Sequence, residues 1–227
     1  PQPKEGEVLV RNLYLSFDPA MRGWMEDRES YLPPVAIGDP MRAGCIAQVV
    51  ESKHEEFTPG DLVQGMFGWQ DYAIASPTGA FPPSRVPAGI PPTLPLGPMG
   101  ITGFTAYFGL LDLGEPKPGE TVVVSSAAGA VGSCAGQIAK ILGCRTVGIA
   151  GGPEKAARCR DEFGFDAAID YKGARNLDGE LRDACPDGVD VYFDNVGGDI
   201  LNDVLTQINL RARIVICGAI SQYNNTT

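Results

Sequence analysis

The stretch "VVVSSAAGAVGSCAG", residues 122–136, decides how this chain is read. It opens as an apolar β-like run, turns at small residues and continues as "GSCAGQIAKILG", which has helical character. The spacing Ala127-x-Gly129-x-x-Gly132 at such a strand–helix junction is that of a dinucleotide-binding loop, with alanine where the first glycine is usual. Position 127 would make the tight turn, Gly129 would let a pyrophosphate approach the backbone, and Gly132 would let the helix pack closely on the strand. The exposed N–H groups at the helix start, aided by the helix dipole, would face the phosphates.

Outward from this loop, apolar strands and helices alternate to the end of the chain. The strands read "TVVVSS", "RTVGIAG", "AAIDY", "VDVYFDNVG" and "ARIVICGAI"; the helices between them read "GSCAGQIAKILG", "PEKAARCRDEFG", "LDGELRDAC" and "DILNDVLTQI". A further helix, "GITGFTAYFGLLDLG", precedes them and is expected to end at Gly114, just before Pro116 and Pro118. Continuous apolar strands alternating with helices predict an α/β doubly wound parallel sheet of the Rossmann type. The first part of the chain has a different grammar. "EVLVRNLYLSF", "GCIAQVVES", "DLVQGMFGW" and "DYAIAS" read as short strands broken by turn signals such as "EFTPGD" and "ASPTGAFPPS", which predicts a mostly antiparallel β domain. The expected division is residues 1–95 and 96–227. The chain begins without Met on the way into a strand and stops four residues after Tyr223, where a six-stranded sheet needs one more strand. Truncation at both ends is therefore expected.

Composition narrows the chemistry. The net charge of −10 lies without long acidic runs and argues against nucleic acid or an anionic membrane as partner. No run of about 20 apolar residues predicts a membrane-spanning helix. The six cysteines (Cys45, Cys134, Cys144, Cys159, Cys185 and Cys217) form no C-x-x-C pair and read as reduced core thiols of a cytoplasmic protein. The one histidine, His54, sits in the polar run "ESKHEEF" and reads as a surface residue, so a His-ligated catalytic metal has little to build on.

The choice between dinucleotides is made after the second strand. An acid about 20 residues past the loop would bind the ribose 2′-hydroxyl of NAD. Here Gly151 and Gly152 leave an open floor, with Lys155 and Arg158 following on the helix. That pattern favours the 2′-phosphate of NADP(H). Glu154, beside Pro153, is better explained as first-turn helix stabilisation.

Nine segments then carry a family resemblance: "LSFDPAMRGWM", "SYLPP", "GWQDYA", "MGITGFTAYFGLLDLG", "AAGAVGSCAGQIAKILGC", "GGPEK", "GFDAAIDY", "DGVDVYFDNVGG" and "ICGAISQYN". With these the chain resembles the zinc-independent medium-chain dehydrogenases/reductases, in the group of prostaglandin reductases, leukotriene B4 dehydrogenases, alkenal double-bond reductases and curcumin reductases. The resemblance implies a GroES-like β domain ahead of the Rossmann domain. It implies that Gly129, Ala130, Val131 and Gly132 cradle the pyrophosphate, that Lys155 on the floor around Gly152 binds the 2′-phosphate, and that Tyr171 lines the adenosine end. Asn195 would contact the cofactor beyond the fourth strand, and Cys217, Gly218, Ala219, Ile220, Ser221 and Tyr223 would run along the nicotinamide. Tyr223 is the first candidate for catalysis and Tyr31, in a β-domain loop facing the same cleft, the second. Phe17, Met21, Trp24 and Trp69 are candidates for apolar walls, for which packing is the plainer reading. Where zinc-dependent cousins carry a Gly-His-Glu segment, this chain reads "MRAGCIAQVVES".

The implied reaction is NADPH-dependent reduction of the C=C bond of an enone or enal, by hydride transfer to the β carbon without a metal. A small-molecule substrate and a homodimer come with it. A zinc-independent quinone reductase and a non-enzymatic NADPH-binding protein are the alternatives.

Overall fold

A computed structural model describes residues 1–27, 30, 32–78 and 81–225. The chain divides into two compact units, Pro1–Gly100 and Ile101–Thr227.

The first unit is an antiparallel sheet. Its strands are β1 (Val8–Leu15), β2 (Cys45–Ser52), β3 (Leu62–Gly65), β4 (Tyr72–Ala75) and β5 (Ser84–Arg85), in the order β4-β1-β2-β3-β5, with one helical turn, α1 (Met21–Trp24), in the β1–β2 connection. Alternation sets the core face: Val8 and Val10 on β1 and Cys45, Ala47 and Val49 on β2 pack with Met21, Phe57, Val63 and Phe67. Trp24 packs partly buried against this core, while Phe17 is exposed and stacks on Trp69 with ring centroids 5.6 Å apart. Met21 and Trp24 are thus packing residues of this unit. His54 is half-buried in its loop rather than on the open surface, its Nδ1 accepting the Glu56 N–H at 3.1 Å and its ring lying against Phe57.

The second unit begins with α2 (Ile101–Phe108). A single α-helix to Gly114 was the expectation; instead Gly109–Gly114 widens into π-helical turns. A Cβ at Gly109 would lie 3.0 Å from the Phe193 ring, and one at Gly114 3.2 Å from Val191. The segment lies close against the sheet, and the two glycines leave room for that approach. The sheet follows, with strands β6 (Thr121–Ser125), β7 (Arg145–Ala150), β8 (Ala167–Asp170), β9 (Val189–Asp194) and β10 (Ile208–Ile216). The intervening helices are α3 (Ala130–Ile141), α4 (Pro153–Asp161), α5 (Leu177–Ala184) and α6 (Gly198–Leu205). All strand pairs are parallel, in the order β10-β9-β6-β7-β8. This is the doubly wound Rossmann arrangement, with its topological switch point where β6 lies beside β9. Val122 and Val124 pack on one face with Ala135, Ala139, Phe165 and Phe193, and Val123 packs on the other with Val147, Ile149, Leu181 and Tyr192.

The last strand departs from expectation. β10 starts at Ile208, four residues before "ARIVICGAI", and ends at Ile216, so Cys217–Ile220 is loop. A register shift between Ile208 and Arg213, with Arg211 at φ 67°, absorbs the extra residues as a bulge. Beyond it Arg213 acts as a clasp. Its Nε donates to the Gly114 carbonyl (2.8 Å), its Nη2 to the Glu115 carbonyl (3.0 Å), and its guanidinium grips the Glu120 carboxylate in a two-pronged pair.

The hydrogen bonds from Arg213 are the first cause holding the Glu120 carboxyl below its usual range. A depressed folded-state pKa gives stability that is complete above the ordinary glutamate range and is lost as pH falls through the depressed value. Glu120→Gln is therefore expected to lower the melting midpoint at neutral pH and to converge with wild type in acid. Melting curves across pH check this; parallel acid loss in both proteins would remove the pair from the stability of the fold.

Candidate dinucleotide site at the sheet's carboxyl edge

The loop after β6 folds as its spacing predicts, with one change of role. The left-handed residue is Ser126, at φ 51°, and Ala127 is a buried packing residue. The methyl of Ala127 lies where it would be 2.8 Å from a Cβ at Gly148 of β7. Gly129 takes the N-cap position of α3 with extended backbone, φ −79° and ψ 171°, and no side chain caps the helix. The N–H groups of Ala130, Val131 and Gly132, in the first turn, have no partner within the helix by geometry. A Cβ at Gly132 would sit 2.3 Å from the Ser126 carbonyl oxygen, and one at Gly129 3.0 Å from the same atom. The cradle exists only because both positions lack a side chain.

The ends of β7 and β8 build the neighbouring floor. Parallel pairing sets Ala150 beside Asp170, so Gly151 and Tyr171 emerge together. The Tyr171 ring lies 3.0 Å from where a Gly151 Cβ would be, and the Lys172 stem 3.1 Å from it. Gly152 adopts φ 104°, a conformation open to glycine, and its N–H donates to Asp170 Oδ1 at 2.6 Å. That bond is the first cause holding the Asp170 carboxyl below the usual range. Glu154 falls in the first turn of α4, and Lys155 is exposed beside it. Arg158 is committed elsewhere, to Glu162 at 3.0 Å and to the Phe163 ring.

The switch point joins the remaining residues. Asn195 donates its backbone N–H to Ser125 Oγ and its side-chain amide to the Ser125 carbonyl, both at 2.8 Å, which leaves its own side-chain oxygen to accept. The segment after β10 docks on the same loop: Cys217 and Gly218 N–H donate to the Asp194 carbonyl, and Ser221 donates from both N–H and hydroxyl to the Val196 carbonyl. Tyr223 folds back, its hydroxyl oxygen accepting the Ala219 N–H at 3.3 Å. Burial first, then the Asp194 charge, push the Cys217 thiol up, so it is no ready nucleophile. Thus Gly129–Gly132, Asn195 and Cys217–Tyr223 gather at one edge of the sheet, with Gly152, Lys155 and Tyr171 at the neighbouring strand ends. Tyr31 lies outside the described residues.

Sequence reading passed over two residues, Lys172 and Asp194. The signal available for Asp194 was its place at the end of an otherwise apolar strand. Among the described residues no group of three or more His, Cys, Asp or Glu could hold a metal ion, and all six cysteines are free thiols.

An uncapped glycine-rich turn at a switch point, behind an antiparallel β unit, is the architecture of a two-domain nucleotide-dependent oxidoreductase. Two family models match in that order, one described as the N-terminal domain of oxidoreductase over residues 1–82 and one as zinc-binding dehydrogenase over residues 130–227. The NADPH-dependent curcumin reductase of Escherichia coli is 49% identical over 224 residues, covering 99% of this chain and 64% of that protein. Prostaglandin reductase 1 of Mus musculus is 48% identical over 227 residues, covering 100% of this chain and 67% of that protein. The crystal structure of CurA from Vibrio vulnificus in complex with NADPH has a TM-score of 0.92 at 49% identity, covering 100% of this chain and 66% of that one. The chain belongs to the zinc-independent medium-chain dehydrogenases/reductases, in the group of these reductases, with a GroES-like β unit and a Rossmann unit. It spans about two thirds of the length of these relatives.

The Gly132 contact yields a direct test of the cradle. Gly132→Ala must push the Ser126 carbonyl aside, and overpacking of this kind costs about 1–3 kcal/mol. A lowered melting midpoint is expected for Gly132→Ala; an unchanged one would mean that the loop does not depend on this close approach.

Proposed function

We propose that this chain is the larger part of an NADPH-dependent reductase of the C=C bond of α,β-unsaturated ketones and aldehydes. The observation that carries the reading is the open glycine floor at Gly151–Gly152, flanked by Tyr171 and Lys155, at the strand end next to the one that leads into an uncapped cradle at Gly129–Gly132. The residues fit the cofactor: a side chain at Gly129 or Gly132 would fill the pyrophosphate cradle, and no carboxylate stands at the 151–152 floor itself. Asp170, at the end of β8, gives its Oδ1 to the N–H groups of Gly152 and Lys172. The names of the relatives, a curcumin reductase dependent on NADPH and a prostaglandin reductase, support a reductase that uses this cofactor.

In this reading the bound NADPH supplies a hydride to the β carbon of the substrate. The chain's residues bind and orient. Ala130, Val131 and Gly132 offer N–H groups to the pyrophosphate, and Lys155 meets the 2′-phosphate while Tyr171 covers the adenosine end. Asn195 offers its side-chain oxygen, and Cys217, Gly218, Ala219, Ile220 and Ser221 form the wall along the nicotinamide. Tyr223 keeps its hydroxyl proton available for donation, because its oxygen accepts from Ala219. Donation to the carbonyl oxygen of the substrate would stabilise the enolate as charge develops, before a proton reaches the α carbon. Tyr31 is the second candidate for that role. The β unit would supply the substrate-facing part and the parallel-sheet unit the NADP(H) site, with the division between Gly100 and Ile101.

Two measurements test this. The full-length protein, given NADPH and a small enone, is expected to form the saturated ketone; an allylic alcohol, or turnover confined to quinones, would overturn the reading. Lys155→Ala is expected to weaken NADPH binding roughly tenfold, the size of one lost charge-assisted contact, with little change for NADH. An unchanged preference between the two dinucleotides would remove Lys155 from the 2′-phosphate site.

A further inference from the structure

Asp194 is fully buried at the end of β9, an interior strand of the parallel sheet. Among the described residues no Lys or Arg pairs with it. Its Oδ1 accepts from the Ser125 hydroxyl at 2.8 Å, the Tyr192 hydroxyl at 2.8 Å, and the N–H groups of Val196 and Gly197 at 2.9 and 3.0 Å. Its Oδ2 accepts from Gly197 N–H at 3.1 Å. Every partner is a donor, the pattern of a carboxylate that only accepts. Burial above all keeps the Tyr192 phenol protonated, so that hydroxyl is a lasting donor.

A buried carboxylate without a cation is costly, and an apolar residue of similar size would usually be cheaper. The groups it organises explain its presence better than stability does. The N–H groups of Val196 and Gly197 turn inward toward it because Gly197 and Gly198 take left-handed backbone, at φ 69° and 60°. Ser125, which donates to Asp194, in turn accepts the Asn195 N–H, so the chain Asn195–Ser125–Asp194 crosses the switch point. The backbone carbonyl of Asp194 holds Cys217 and Gly218, and the loop it shapes receives Ser221. A Cβ at Gly198 would lie 2.9 Å from Ser221 Oγ, so the two segments meet with no slack.

We infer that Asp194 is a positioning residue for the nicotinamide half of the cofactor: its buried carboxylate, through Ser125 and the 195–198 turn, sets Asn195 and the 217–221 segment in place. This rests on the NADPH reading above. Among the described residues the Asp194 side chain makes no hydrogen bond to the Gly129–Gly132 cradle or to the Gly151–Lys155 floor, which would hold the adenosine half.

The test exploits that division. Binding of NADPH and of 2′,5′-ADP, which lacks the nicotinamide half, is titrated against wild type, Asp194→Asn, Ser125→Ala and Tyr192→Phe, with a melting curve for each. For Asp194→Asn and Ser125→Ala, NADPH affinity is expected to fall roughly tenfold, while 2′,5′-ADP affinity stays within about twofold. Tyr192→Phe removes a donor that does not touch the 195–198 turn, so it is expected to lower the melting midpoint and leave both affinities near wild type. If Asp194→Asn does not fold, Ser125→Ala carries the same comparison. Unchanged NADPH affinity in the folded variants, or equal loss for both ligands, would overturn the inference. A wild-type protein that binds neither ligand would instead overturn the NADPH reading, and this inference with it.

Discussion

The contact between the start of α3 and the end of β6 is the constraint from which the second unit is built. With no side chain at Gly132, the first turn of the helix comes down onto the Ser126 carbonyl. That approach aims the helix axis across the sheet edge and leaves the first-turn N–H groups facing outward without a cap. The same descent lets Ala135 and Ala139 reach the strand face carrying Val122 and Val124. Gly136 and Phe165 complete the fit: a Cβ at position 136 would lie 1.8 Å from the Phe165 ring, so the ring occupies the groove that the glycine leaves. One packing decision thus serves both the core and the site, which is why the small residues concentrate here.

A second organising element is polar. The sheet's carboxyl edge must end several strands at once without leaving buried donors unpaired. Asp194 resolves this for β9, β6 and the exit from β10, because one carboxylate and one carbonyl collect two hydroxyls and four backbone N–H groups. At the opposite edge Arg213 does the converse, collecting two carbonyls and a carboxylate. The two clusters are built around central groups of opposite charge and lie at opposite ends of the strands. Each fixes loops that apolar packing cannot reach.

These clusters also explain how far the sequence could be read. The doubly wound sheet was legible because its strands are continuous apolar runs and its helices repeat at regular length. The cradle was legible because glycine spacing is local. Asp194 was not, since Ser125 stands 69 residues away and nothing in "DNVGG" announces the pairing. Glu120 and Arg213, 93 residues apart, were equally silent. The early start of β10 hid behind the bulge at Arg211, and the π turns after α2 behind an ordinary helical pattern. Arg158 was read toward the floor, yet Glu162 one turn on and the Phe163 ring claim it; an i,i+4 acid is a competitor visible in the sequence. Tyr171 comes out beside Gly151 because parallel register brings successive strand ends together.

A protein of net charge −10 that is to hold a polyanion must do so locally. At physiological salt the field of distant carboxylates is screened over about 8 Å, so the charge of the whole chain matters less than the groups within that radius. Around the floor those groups are Lys155 on α4, the Lys172 stem across Gly151, and the N-terminal dipoles of α3 and α4. Of the acids beside the floor, Asp170 gives its Oδ1 to the N–H groups of Gly152 and Lys172, and Glu154 lies in the first turn of α4. The role of Asp170 resembles that of Asp194: both carboxylates sit at strand ends and spend their charge on backbone N–H groups. Asp170 and Asp194 thereby hold the loops in place, while Lys155 and the first turn of α3 supply the cation and the donors that a phosphate-rich ligand requires.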